Sequence, residues 1–375
     1  MADTDDSGGF LAADAAWVAF CDALKEAGSV LRSDAIESDD VSLAEGHRHL
    51  VRMIRAGFEV VSEYGDPARP EFFPMASRTV LSEGVTSDAR YIQAFIDGSA
   101  PHVIRGTRGT APLIEIGVYT GRTGFHETSD LQACLTEADL VVANDGTFEV
   151  VLAATDPGGD CKNWIRTDPE SRYVFIRQYA HDWSETASGT FEILRTDSPT
   201  PSGPLGMEQV RVALERTATF VQSAPALWAG ISDYWADHAV NQIVPQEAAS
   251  SDTDITVPSG HRFACGYFRL AADEALVVQF EPPAHAAYWG IHLDNYFYEP
   301  LSWADNRSQL NDQTVSPDSD GRITIVVSNR EPAGAPNWLE TQGHRQGSAV
   351  FRWSRSTSPC PVFDCRVTMV ESWAE

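Results

Sequence analysis

The stretch DGTFEVVLAATDPGGDCKNWIRTDPESRYVFIRQ at residues 145–178 recurs, with changes, as DGRITIVVSNREPAGAPNWLETQGHRQGSAVFRW at residues 320–353. Two one-residue gaps align the copies and place Asn163-Trp164 on Asn337-Trp338. Tryptophan and asparagine are uncommon residues, so a shared Asn-Trp pair at this spacing is strong evidence of a duplication. Self-similarity of this kind predicts that the chain folds as two related units.

Each copy has the pattern of one β unit. Asp145-Gly146 and Asp320-Gly321 open the copies, and Asp-Gly between β-prone runs predicts a hairpin turn. A loop rich in Pro and Gly follows, then a strand that ends in arginine, which is Arg177 in the first copy and Arg352 in the second. We expect the Asn to hold the loop by bonding local backbone and the Trp to fill the space beneath it.

β-prone runs surround both copies, and helical patterns separate them. Apolar residues at helical spacing predict helices before residue 75 and again between about 207 and 244. In the first helical region, Ser42 and Glu45 have the spacing of a capping box. The predicted fold is mainly β with helical additions, in which two related β-sandwich or jelly-roll-like halves are joined by a helical bridge. The predicted segments are a helical N-terminal part (1–75), a first β half (76–203), the bridge (204–245) and a second β half (246–375).

Composition excludes some classes of function. The chain has 375 residues, 27 basic and 54 acidic side chains, and a net charge of −27. Binding to nucleic acid or to an anionic membrane surface needs basic patches, and the sequence has none, so we expect neither partner. No window is apolar enough for a membrane span, and the start of the chain lacks the pattern of a secretory signal. Six scattered cysteines without a Cys-x-x-Cys pair are typical of a reducing cytoplasm, which is the predicted location.

The second copy also resembles a known family. Its motifs are Asn306/Arg307, Asp320-Gly321, Asn337-Trp338-Leu339 and Arg352-Trp353, and together they resemble the signature of the domain-of-unknown-function 1214 family. The upstream half, with its own NWI and with RQYAHDWSE at 177–185, looks like the related half of actinobacterial-type members. The resemblance covers about residues 10 to 355 and implies a β-sandwich type of fold. It implies no particular reaction.

One local pattern departs from that signature and suggests chemistry. His292 and Asp294 stand two apart in a β-prone run, so their side chains share one face of a strand. His344 lies farther along, and Arg352 follows it. Two histidines and one carboxylate form the ligand set of iron(II) oxygenases that use a 2-oxo acid, and the arginine would bind the co-substrate's carboxylate. The same residues are alternatively a hydrogen-bonded acid–base pair or a structural pair in a strand.

A second cluster offers acid–base groups. His181 and Glu185 follow Arg177 closely in the sequence. A carboxylate can orient a histidine that acts as a base, and an arginine favours the ionised form of a nearby carboxylate. A charged surface loop would have the same composition, so both interpretations stay open.

The sequence therefore predicts a protein that acts by acid–base chemistry on a small, partly apolar organic molecule in a cleft between the β halves. The candidate catalytic residues are His292, Asp294, His181, Glu185 and Arg352. The candidate substrate-binding residues are Trp289, Tyr296, Trp338, Asn337 and Arg177. The alternatives are an iron-dependent oxygenase and a non-catalytic module that binds a glycan or a lipid-like ligand through its aromatic side chains.

Overall fold

The computed structural model describes residues 7–77, 80–81, 83–125, 127–197, 203–246, 260–302 and 307–374. Asn306 of the family signature lies outside these ranges. Three long helices occur in the described parts: α1 (Ser7–Ala27), α2 (Asp40–Phe58) and α3 (Met207–His238). None of the described helices is long and apolar enough to cross a membrane.

The strands fall into two series, one on each side of α3. The first series is β1 (Phe73–Pro74), β2 (Ala89–Phe95), β3 (His102–Thr107), β4 (Leu113–Thr120), β5 (Leu131–Thr136), β6 (Thr147–Ala153), β7 (Trp164–Arg166), β8 (Ser171–Tyr179) and β9 (Thr190–Arg195). The second is β10 (Val244–Pro245), β11 (His261–Arg269), β12 (Glu274–Phe280), β13 (Tyr288–Asp294), β14 (Gln309–Asn311), β15 (Ile323–Ser328), β16 (Trp338–Glu340), β17 (Gln346–Ser354) and β18 (Asp364–Met369).

Each series builds the same pair of sheets. The first half has a five-stranded sheet in the order β1-β2-β8-β4-β5 and a four-stranded sheet in the order β7-β6-β3-β9. The second half has β10-β11-β17-β13-β14 and β16-β15-β12-β18, which is the same order with nine added to every strand number. The predicted fold of two related β halves with a helix between them is confirmed.

Some local expectations were wrong. The cap of α2 is Asp39, whose carboxylate accepts from the backbone N–H of Ser42 at 2.8 Å, so the helix begins before the predicted Ser42–Glu45 box. Asp145-Gly146 does form a turn, with Gly146 donating to the carbonyl of Ala143 at 2.9 Å, but β6 pairs with β3 and β7, and no hairpin strand precedes it. The two-residue strands β1 and β10 were not predicted, because a pair of residues carries no periodic signal.

Both faces of each five-stranded sheet are covered. One face packs on the four-stranded sheet of the same half and forms a sandwich core, which contains Ile176 in the first half and Phe351 in the second. The other face packs against α2 and α3 and meets the opposite half, in a third core that includes Phe175, Trp228 and Val350. Burial on both faces explains why the strands read as nearly continuous apolar runs.

Candidate functional site

A cavity of about 190 Å³ lies in this third core, where the two halves meet. Its floor is the helix-facing surface of the first five-stranded sheet, and α2 and α3 cover it. The second half closes one end through β11, β17 and Tyr298. The residues that line it include Tyr91, Phe175, Arg177, Trp228, Phe263 and Arg352.

Strand alternation brings both repeat arginines to the cavity. On β8, Val174 and Ile176 point into the first sandwich core, so Arg177 points the other way, toward the helices. On β17, Phe351 and Trp353 fill the second sandwich core, so Arg352 also faces the space between the halves. Each arginine stands at the same position of its repeat, and the period of two fixes its direction.

Arg177 is bound to a carboxylate of its own half. It donates to Glu115 Oε1 at 3.0 Å and to the Tyr119 hydroxyl at 2.6 Å. The other Glu115 oxygen lies 3.2 Å from His261 Nε2 and 3.6 Å from Arg355. Burial alone would raise the pKa of Glu115, but the contact with His261 and the charge of Arg177 lower it. The Glu115 carboxylate is therefore ionised at neutral pH and balances Arg177.

Arg352 has no such partner among the described residues. Its guanidinium donates to the Tyr91 hydroxyl at 2.9 Å and to the carbonyl of Gly84 at 2.6 Å. Its Nε has no hydrogen-bond partner among the described residues, although the side chain is only 5 % exposed. Every described carboxylate lies more than 4.0 Å from its nitrogens, so this cation is buried among neutral groups.

Register explains the difference between the two arginines. Arg177 lies opposite Glu115 of β4, and Arg352 lies opposite Gly290 of β13. A side chain at Gly290 would collide with the hydroxyl of Tyr288. That hydroxyl donates to Asp88 at 3.0 Å. The second half has thus no carboxylate at the place where the first half has Glu115.

Glu83 is the acidic side chain among the described lining residues. It and Gly84 both have left-handed backbone conformations, with φ of 66° and 55°. A side chain at Gly84 would collide with the ring of Tyr298, and Arg352 holds the Gly84 carbonyl. Burial raises the pKa of Glu83 to about 8, and the charge of Arg177 offsets only part of this effect. The Glu83 carboxyl is therefore mostly protonated at neutral pH.

The remaining wall is largely aromatic. Trp228 of α3 stacks on Tyr298 with ring centroids 6.1 Å apart, and Arg122 lies over the ring of Phe95 at 4.4 Å. Burial and the charge of Arg216 lower the pKa of Arg122 to about 10, so it stays charged at neutral pH. Burial lowers the pKa of His261, although the contact with Glu115 opposes the shift. This histidine is therefore neutral at neutral pH.

The structure does not assemble the predicted iron triad. His292 Nε2 lies 3.4 Å from Asp294 Oδ1, and both side chains are buried, so the shared face of the strand is confirmed. His344 is bound elsewhere: one ring nitrogen contacts Glu45 at 2.6 Å and the other the carbonyl of Thr341 at 2.7 Å. Over the described ranges, no group of three or more His, Cys, Asp or Glu side chains is arranged to hold a metal ion.

The structure also separates the two residues of the second predicted cluster, His181 and Glu185. His181 Nε2 lies 3.1 Å from Asp312 of the second half, and this contact raises the pKa of His181. Glu185 is exposed, so it does not orient the histidine. The acid–base interpretation of His181 with Glu185 has no geometric support, because the tertiary contact with Asp312 takes the place of the local one.

The predicted aromatic and amide residues lie outside the cavity wall. Trp289 packs on Phe280 and Phe351 in the second sandwich core. The Tyr296 hydroxyl donates to Asp233 at 2.7 Å. Asn337 bonds loop backbone, as expected. Trp338 is half-buried on β16 and donates from Nε1 to the Ser328 carbonyl at 3.1 Å. Of the predicted site residues, Arg177 and Arg352 are the two that line the cavity.

Sequence reasoning missed most of the wall. Glu83, Tyr91 and His261 belong to no motif, and each reaches the cavity through a different element. Strand alternation around Tyr91 indicates which way its side chain points, but it identifies a cavity residue only when the neighbouring strands of the sheet are known. For Glu83 no signal exists, because only the tertiary fold covers its carboxyl.

Fold and site together define a class, namely a duplicated β-sandwich protein with a cavity between its halves that is lined by arginines from both repeats. Residues 96–182 and 268–357 each match the family described as protein of unknown function DUF1214. Both halves of the chain thus match this family, and the resemblance seen in the sequence is confirmed.

The chain is also similar to proteins of known structure. An uncharacterized protein from Burkholderia cenocepacia is similar over 95 % of this chain and 97 % of its own, with 29 % identity and a TM-score of 0.88. The VPA0106 protein from Vibrio parahaemolyticus aligns over 87 % of this chain and 98 % of its own, with 12 % identity and a TM-score of 0.47. No curated protein matches the chain.

Proposed function

We propose that the central cavity binds one small, partly apolar organic molecule and that the protein acts on it by acid–base chemistry. The observation that carries this proposal is the cavity itself. It lies between the halves and combines an aromatic wall with a few polar groups, which is the usual composition of a small-molecule site.

The volume sets the size of the molecule. An engineered apolar cavity of about 150 Å³ binds benzene. The cavity here, at about 190 Å³, has room for one ring or a short alkyl chain together with a polar group. Phe175, Phe220 and Trp228 supply flat apolar surface for such a body. A glycan chain would exceed this space and would leave its hydroxyls against aromatic rings.

Glu83 is the proposed proton-transfer group. A carboxyl that titrates near the working pH can both give and accept a proton, which is the requirement for general acid–base catalysis. The pKa of Glu83 is about 8, because burial disfavours its charged form. This role replaces the one that the sequence suggested for His292 and His181, whose side chains do not line the cavity.

Binding without catalysis is the second candidate, and the predominance of aromatic wall favours it. The two candidates differ at Glu83. A catalytic role requires that Glu83→Gln retains ligand binding and loses turnover, whereas in a binding module the variant changes affinity alone.

We also propose that the protein is located in the cytoplasm. The six cysteines are free in the structure, which supports a reducing environment.

The test is a binding screen with matched aromatic and short aliphatic compounds of six to ten carbons, read by thermal shift and calorimetry. We expect binders in this size range. Ile231→Trp, which fills the cavity from α3, should abolish their effect. Val212→Trp on the exposed side of the same helix is the control and should bind normally. If no compound binds, or if Ile231→Trp binds as well as the wild type, the proposal is wrong.

A further inference from the structure

The charges around the cavity do not balance. The described lining residues include Arg122, Arg177 and Arg352, and the only carboxyl among them is Glu83. Arg177 is balanced by Glu115 at 3.0 Å, whereas no described carboxylate lies within 4.0 Å of Arg122 or Arg352. The cavity is thus positive inside a chain whose net charge is −27. A buried cation without a counter-charge costs stability, and a bound anion would offset that cost.

Arg352 is the better defined of the two unbalanced cations. It is 5 % exposed, and its Nε–H has no acceptor among the described residues. Its bonds to the Tyr91 hydroxyl and to the Gly84 carbonyl, together with a contact to Tyr179, hold the guanidinium without neutralising it. Arg352 therefore places a charged guanidinium, with no described carboxylate as its counter-charge, among the residues that line the cavity.

The first half shows what an arginine at this position of the repeat binds. At the equivalent position, Arg177 binds the carboxylate of Glu115, which comes from the facing residue of the neighbouring strand. Opposite Arg352 that residue is Gly290, so the chain supplies no carboxylate there. A ligand carboxylate at Arg352 would complete the pair that the first half already contains.

We propose that the molecule bound in the central cavity is a monocarboxylic acid whose carboxylate pairs with Arg352 and whose apolar body lies against the aromatic wall. This inference rests on the proposed function and specifies its ligand class. A planar guanidinium matches a carboxylate with two parallel hydrogen bonds. A phosphate monoester carries a larger charge and needs more donors than Arg352 and its neighbours provide.

The test compares isosteric probes that differ in the head group: benzoate with benzamide, and hexanoate with hexanamide, by calorimetry at one salt concentration. We expect each carboxylate to bind at least about tenfold more tightly than its amide. Arg352→Gln should remove this preference and leave the amide's affinity within about threefold. Arg352→Lys keeps the charge but loses the paired geometry, and it should keep only part of the preference. Arg307→Gln, at an exposed arginine of the second half, should behave as the wild type.

The outcomes separate the two proposals. If amides and carboxylates bind equally, or if Arg352→Gln keeps the preference, the carboxylate inference is wrong and the cavity remains a small-molecule site. If phenylphosphonate binds and benzoate does not, the head group is a different anion and the inference is also wrong. If no probe of either series binds, the proposed function is wrong, and the carboxylate inference that rests on it is wrong as well. Circular dichroism of each variant checks that it folds. If Arg352→Gln does not fold, Arg352→Lys is used in its place to test the carboxylate preference.

Discussion

Asn163 and Asn337 make the same three hydrogen bonds in the two halves of the protein. Asn163 accepts from the N–H of Val141 at 2.7 Å and donates to the carbonyls of Val141 and Glu149, both at 2.9 Å. Asn337 accepts from Ser316 at 2.7 Å and donates to Ser316 at 2.9 Å and to Thr324 at 2.8 Å. Each side chain thus ties an irregular segment to the strand beside it.

Replacing either asparagine by alanine should destabilise the protein. Each substitution leaves three backbone groups without a partner in a buried site, so we expect a loss of about 2–4 kcal/mol in the free energy of unfolding for Asn337→Ala, and a similar loss for Asn163→Ala. Urea denaturation measures this. The exposed Asn144→Ala is the control and should change stability by less than about 0.5 kcal/mol. A loss below about 1 kcal/mol at both sites would contradict a structural role for the pair.

Arg177→Gln should destabilise the fold because it leaves Glu115 buried without its main counter-charge. Removing one partner of a buried pair commonly costs 3–5 kcal/mol, and since His261 and Arg355 stay near Glu115 we expect about 2 kcal/mol. The double variant Arg177→Gln with Glu115→Gln should recover most of the loss, because it removes the orphaned charge. Chemical denaturation of the single and double variants gives the coupling energy. Additive effects would mean that the two side chains do not interact.

Glu83 should make stability fall as pH rises. Its folded pKa of about 8 lies above the value of about 4.3 in an unfolded chain, so between these values the folded state keeps a proton that the unfolded state has lost. The stabilisation is complete below about pH 4 and is lost as pH rises toward 8. Since the side chain is half-buried, we expect a decline on the order of 1–2 kcal/mol. Melting temperatures of wild type and Glu83→Gln between pH 5 and 9 test this. Parallel curves would rule out the shift.

The contact between His344 and Glu45 should produce a second pH window. Burial alone would lower the pKa of His344, but the hydrogen bond and charge of Glu45 raise it. Its contribution is therefore full below about pH 6.5 and is lost as pH rises through the folded pKa. The pKa of Glu45 is lowered, because His344 outweighs the burial effect, and its contribution is lost as pH falls below about 4.5.

His344→Gln should remove the part of this dependence that comes from the histidine and reduce the part that comes from Glu45, which keeps its ion pair with Arg48 at 2.8 Å. We expect the variant to be about 1 kcal/mol less stable than the wild type near pH 5.5 and to approach it above pH 8. Chemical denaturation at these two pH values measures the difference in the free energy of unfolding. His47→Gln is the matched control, because His47 is exposed on the same helix as Glu45 and bonds only the carbonyl of Leu43 among the described residues. An equal deficit at both pH values would contradict the charge explanation.

The sequence was informative wherever the chemistry is local. The Asn-Trp repeat predicted the duplication, and the same repeat placed Arg177 and Arg352 at equivalent positions of the two copies. It was uninformative for His344 and His181, whose carboxylate partners lie 299 and 131 positions away along the chain, at Glu45 and Asp312. No spacing rule reaches such pairs.

Sequence by itself determined that this protein is built twice from one β unit, because strand period, turn residues and a rare residue pair are all written in short stretches of chain. Tertiary structure alone decided which side chains share the cavity. Glu83, Tyr91 and Arg352 come together only when two sheets and two helices close around one space. Burial and charge balance depend on everything packed around a group, and for this reason the unbalanced charge of Arg352 cannot be read from its neighbours in sequence.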